Sequence, residues 1–193
     1  MKTHLIAALC ILCFLTSGAW AHVTSPTAAL PENVSLYAKP NVGAGQQCLV
    51  GALTDDDGMN QKPVAYLEAT SSRFVWHATL PLPPNTYQAR ATHCVGTPSM
   101  LYVLVQGDTQ PEQSLSQTLL EVVALNRATG AVIASEPIDA PHINATHTAW
   151  VEDGHEHFVI QGNILVITGK YALLSNRDKP MTFSMKLAQA PIR

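Results

Sequence analysis

"PEQSLSQTLLEVVALNRATG", Pro111 to Gly130, decides the fold. One reading makes it a helix. Pro111 suits a first helical position, Leu115, Leu119, Leu120, Val122 and Val123 supply apolar residues, and Gly130 follows the C-terminus. The other reading makes "LLEVVAL" a strand that turns at "NRATG" (Asn126 to Gly130) and returns as "AVIASEPI". The adjacent valines and the matching Val/Ile-rich run after Gly130 decide for the hairpin.

Working outward, strand patterns recur on both sides. Upstream lie "VAYLEAT", "SRFVWHATL", "YQARATHCV" and "MLYVLVQ". In "SRFVWHATL", Phe74, Trp76 and Ala78 alternate with Val75, His77 and Thr79. The polar turn "DDDGMNQKP" (Asp55 to Pro63) precedes these strands, and "PLPPN" interrupts them at 81–85, because proline removes ladder donors. Downstream, "TAWVE", "HFVIQ", "NILVITG", "YALLS" and "MTFSMKL" read as a closing meander with "QGN" and "NRDKP" as connections. The expected fold is all-β and mostly antiparallel, a sandwich or a partly closed barrel.

"LEVVALNRATGAVIAS" also resembles the paired inner strands of a quinoprotein-type propeller blade, over Leu101 to Ile138. A propeller needs about four or more blades to bury its sheets. The nearest echo, "ILVITGKYALL" at 164–174, shares little beyond Thr-Gly, so the family is not adopted.

The N-terminus reads as a signal peptide. Lys2 precedes the apolar run Leu5 to Leu15, and Ala19 and Ala21 flank Trp20 as small-x-small. That run is shorter than the ~20 residues of a transmembrane helix. Cleavage after Ala19 or Ala21 predicts an exported, periplasmic or extracellular chain with no transmembrane segment. Residues 1–21 are thus the signal, 22–45 an extended arm or linker rich in Pro and Gly, and 46–193 a single β-domain. Of four cysteines, Cys10 and Cys13 leave with the signal. Cys48 and Cys94 remain, and in an exported chain they read as one disulfide. Loss of Lys2 takes the formal net charge from −3 to −4, with no basic run, so nucleic acid has no electrostatic handle.

The chemistry-bearing motif is "VEDGHEHFVIQGN", Val151 to Asn163. As a strand it would put His155 and His157 on one face, about 6.6 Å apart along it. Two imidazoles can grip zinc or copper, but a stable site needs a third ligand, for which His142, His147 and Asp153 are nearest in sequence. His22, if exposed by cleavage, is a second copper candidate. An EF-hand register on Gly58 fails, because Leu53 and Val64 fall at ligand positions. There is no G-x-S-x-G elbow, S-x-x-K, phosphate loop or dinucleotide fingerprint, so no catalytic residue is assigned. Trp76 and Trp150 fit core positions.

The expected function is that of an exported, non-enzymatic binding protein with a protein partner in the cell envelope, as periplasmic inhibitors and immunity proteins are. Its contact surface would be the polar loop Gly107 to Ser116 and the turn 152–157, since loops on rigid scaffolds carry recognition. The alternatives are a zinc or copper protein using His155 and His157, and a metal-independent hydrolase.

Overall fold

The computed structural model describes residues 23–24, 29–55, 60–109, 116–139 and 143–189. They form three antiparallel sheets. The first contains β1 (Val23–Thr24), β2 (Val34–Ala38), β3 (Asn41–Gly43), β4 (Gln46–Leu53), β5 (Lys62–Ala69) and β6 (Phe74–Thr79), ordered β1-β6-β5-β4-β2 with β3 also on β4. The second is the meander β7 (Thr86–Gly96), β8 (Met100–Thr109), β9 (Thr118–Asn126) and β10 (Val132–Ile138). The third holds β11 (His147–Trp150), β12 (Phe158–Gln161), β13 (Ile164–Leu173) and β14 (Asn176–Ala188).

The hairpin reading of the deciding stretch holds from Thr118 onward; Pro111 to Leu115 lie outside the described residues. Asn126 shapes the turn, its Oδ1 accepting from the N–H groups of Ala128 and Thr129. Gly130 then adopts φ +75°, and a Cβ there would lie 2.7 Å from the Trp76 ring. The Trp76 indole donates to the Arg127 carbonyl at 2.8 Å, fastening the first sheet to this turn.

Antiparallel sheets commonly keep one face solvated. The second sheet does not. Leu101, Val103 and Val105 of β8 join Val123 and Leu125 in a core against the first sheet. The alternate residues Met100, Tyr102 and Leu104 join Leu120, Val122 and Ala124 in a core against Phe158, Leu165 and Ile167 of the third. The molecule is therefore a three-layer stack, and the doubly buried middle explains why "MLYVLVQ" and "LLEVVAL" lack polar alternation. A smaller apolar cluster of Leu49, Val64, Tyr66 and Phe74, with Leu30 and Val34, covers the remaining face of the first sheet.

The cysteine pair forms the expected bridge. Cys48 of β4 and Cys94 of β7 are 6.3 Å apart at Cα and join the first sheet to the second. The arm at 22–45 contributes β1, on β6 at one edge of the first sheet, and β2 and β3, on β4 at the other.

Four local expectations change. "NILVITG" and "YALLS" are one strand, β13, because Gly169 spans the break between them: Phe183 of β14 lies against it, and any Cβ there would meet that ring at 2.7 Å. "NRDKP" belongs to β14, which among the described residues pairs only with β13, so Pro180 sits where an edge strand tolerates a missing donor. Phe74 leaves the face of Trp76, because a register shift at Leu67/Glu68 turns it toward Tyr66, at 5.4 Å between rings. Trp76 is core, whereas Trp150 is only half-buried.

Three charged residues are buried, Glu68, Glu121 and Arg127, and the last two bear on the packing of the second sheet. Arg127 donates from Nε and Nη2 to Gln46 Oε1, from Nη1 to the Val42 and Thr97 carbonyls, and from Nη2 to the Gly43 carbonyl, at 2.7–3.0 Å. All its partners are neutral oxygens. Glu121 of β9 lies in the row of Val123 and Leu125, with Oε2 lacking any hydrogen-bond partner among the described residues. Burial raises its carboxyl above the ordinary range.

Candidate functional site

β7 carries a register shift between Ala91 and His93, which leaves Thr92 as an extra residue. Such bulges re-aim side chains. Here Thr92 and His93 are both turned inward and buried, and they enter a directional chain of hydrogen bonds. Gln106 Nε2 donates to Thr92 Oγ1 at 2.9 Å and to the Val151 carbonyl at 3.0 Å. The Thr92 hydroxyl faces His93 Nδ1 at 2.9 Å, and His93 Nε2 faces the Glu152 carbonyl at 3.0 Å. A carbonyl only accepts, so Nε2 bears the proton and Nδ1 accepts from Thr92. Both ring nitrogens are committed. Burial lowers the pKa of His93 and outweighs the opposing carbonyls of Glu152 and Gly154, which favours the neutral ring.

This chain holds the turn 152–157 against the second sheet. Glu152 is paired with Lys170 at 2.7 Å. Gly154 has φ +129°, and a Cβ there would meet the Glu156 carboxylate at 2.6 Å. The carboxylate folds back over the turn. Its pKa is lowered first by its own backbone N–H, then by the imidazoles of His157 and His155.

The turn corrects the strand geometry expected for the two histidines. His155–His157 is a single 3-10 turn, and the strand begins only at Phe158. His157 Nδ1 docks on Thr168 Oγ1 at 3.0 Å, while the His155 side chain is 92% exposed. The imidazoles flank Glu156, His155 Nδ1 at 3.7 Å and His157 Nε2 at 3.6 Å. Of the expected third ligands, His142 lies outside the described residues, as does His22. His147 Nδ1 faces the Ala145 carbonyl at 2.9 Å, and its ring stands edge-on to Tyr171. Among the described residues, no group of three or more His, Cys, Asp or Glu side chains gathers in metal-holding geometry.

What the turn does build is a cleft. Tyr37, Ala38, Lys39 and Pro40 form one wall, Thr92, His93 and Cys94 the floor, and Asp153, Gly154, His155 and Phe158 the other wall, enclosing about 190 Å³. All three sheets meet there, with the disulfide beneath. Phe158 is buried, and Tyr37 is 41% exposed at the rim. Sequence reasoning picked out the turn and Cys94. It missed Tyr37 and His93, although a Thr-His pair inside an apolar strand was a signal. The described residues of the polar loop Gly107 to Ser116, 107–109 and 116, do not line this cleft. The loop's first residues end β8, Ser116 bonds Thr109 and Arg177, and 110–115 lie outside the described residues.

A wider hollow of about 370 Å³ opens between Thr118–Leu120, Pro137–Asp139 and Ala145–His147. Gln117 and Thr118 at its edge are already bonded to the His147 carbonyl and Thr148 Oγ1. Among the described residues, no helix is long and apolar enough to cross a membrane. No protein-family model matches this chain, and no curated protein matches its sequence.

Proposed function

We propose that this chain is exported, loses its first 19 or 21 residues, and acts in the periplasm or outside the cell by binding another protein rather than by catalysis. The apolar run Leu5 to Leu15 with Ala19 and Ala21 supports export, and a disulfide suits an oxidising compartment. The observation that carries the binding reading is the state of the cleft floor. His93 has both ring nitrogens engaged and Cys94 is in a disulfide, so the floor offers shape and rigidity, not a base or a nucleophile. A periplasmic inhibitor or immunity protein needs that kind of surface.

The test is capture from the native envelope or medium with the processed chain as bait. A partner retained by wild type and lost by the Tyr37→Ser, His155→Ala double variant supports the reading. Capture that ignores both substitutions overturns the cleft as the contact surface. A second reading, zinc or copper on His155 and His157, draws on the approach of both imidazoles to Glu156 within 3.7 Å. Stoichiometric metal in untagged protein, lost on changing both histidines to alanine, would establish it.

A further inference from the structure

The chemistry of the cleft specifies what its partner inserts. Its volume of about 190 Å³ is well below the ~300–1,000 Å³ of sites that enclose a whole drug-sized ligand, so it accommodates a single side chain. Its charges are mostly spoken for. Lys39 Nζ lies 2.6 Å from Glu68 Oε2, with Glu68 itself buried, and Glu152 is held by Lys170. Glu156 stands between two imidazoles. Asp153 is exposed, with no salt bridge or side-chain hydrogen bond among the described residues, and its charge acts on the nearby His93 ring. Of the two formal charges on the walls, Lys39 is paired and Asp153 has no salt bridge among the described residues, so the one open to a partner is negative. Beside it stand Tyr37 and the buried ring of Phe158.

We propose that the cleft is a receptor for an arginine side chain presented by the protein partner, its stem along Tyr37, Pro40 and Phe158 and its guanidinium at Asp153. An arginine stem buries against apolar walls while its planar head stacks on aromatic faces and pairs with carboxylates. The inference rests on the binding reading above and gives it a chemical class.

The test is a nuclear magnetic resonance titration of the processed, isotope-labelled protein with three probes: N-acetyl-arginine amide, N-acetyl-norleucine amide and N-acetyl-glutamate amide. The arginine probe is expected to shift the amides of Tyr37, Asp153 and His155 saturably. Asp153→Asn should weaken it about two- to fivefold, the scale of one exposed charge pair, with the rest of the spectrum unchanged. High salt should weaken it on the wild-type protein as well, which keeps the test independent of that variant's folding. Equal or stronger response to either other probe, indifference to both Asp153→Asn and salt, or no shift at the cleft overturns the proposal. These outcomes leave partner capture through Tyr37 and His155 to be decided separately. An arginine response without a captured partner would sink the function and keep the cleft chemistry.

Discussion

The carboxamide of Gln106 pairs with both backbone polar groups of Val151, donating to its carbonyl at 3.0 Å and accepting its N–H at 3.1 Å. In this way one side chain does what a neighbouring strand would do, and it anchors the start of the turn that walls the cleft. Gln106→Leu keeps the volume and removes the pairing. Leaving buried backbone groups unsatisfied costs roughly 1–3 kcal/mol each, so unfolding in urea should show a loss of about 3 kcal/mol. Amide exchange across 151–157 should rise in the same variant.

Arg127 predicts a failed conservative substitution. Its fork meets oxygens from Val42, Gly43, Gln46 and Thr97 at once. Lysine has three donors on a single nitrogen and cannot span them. Arg127→Lys should lower stability by about 2 kcal/mol or more, read as an earlier urea midpoint with unchanged slope.

Cys48 and Cys94 are 46 residues apart in sequence. The chain-entropy model assigns such a closure about 4 kcal/mol. Replacing both by alanine should remove stability on that scale in urea, while circular dichroism keeps its β signature, because the apolar seam between the first two sheets does not depend on the bridge.

Glu121 and His93 predict opposite slopes with pH. The folded-state pKa of Glu121 is raised by burial, so the native chain holds its proton more tightly than the unfolded chain. Stability must then fall as pH rises from the ordinary carboxylate range through the raised value, and Glu121→Gln should abolish that fall. His93 is lowered by burial, so the unfolded chain takes up its proton first. Stability should fall as pH drops from about 6.5 toward the lowered value, and this slope should be absent in His93→Gln. Urea midpoints across pH 4–8 separate the two.

How much of this was legible in the sequence varies by element. The hairpin around Asn126 to Gly130 could be read because paired valines and a turn residue with positive φ are local signals. The disulfide could be read by counting. The third layer could not, since a run such as "MLYVLVQ" records that both faces are buried but not by what. The histidine spacing misled because Gly154 at φ +129° and the returning Glu156 curl the chain where strand periodicity was assumed. The cleft was invisible for a different reason. Tyr37, His93 and Asp153 come from segments that only the packing of three sheets brings together.

The second sheet is enclosed on both sides, and hydrogen–deuterium exchange of the protein tests this directly. Peptides covering Leu101–Val105 and Val122–Leu125 should be the slowest in the chain, opening only with global unfolding. Rapid exchange in those peptides, with protection confined to β4–β5 or β13–β14, would contradict the three-layer stack and the cleft built upon it.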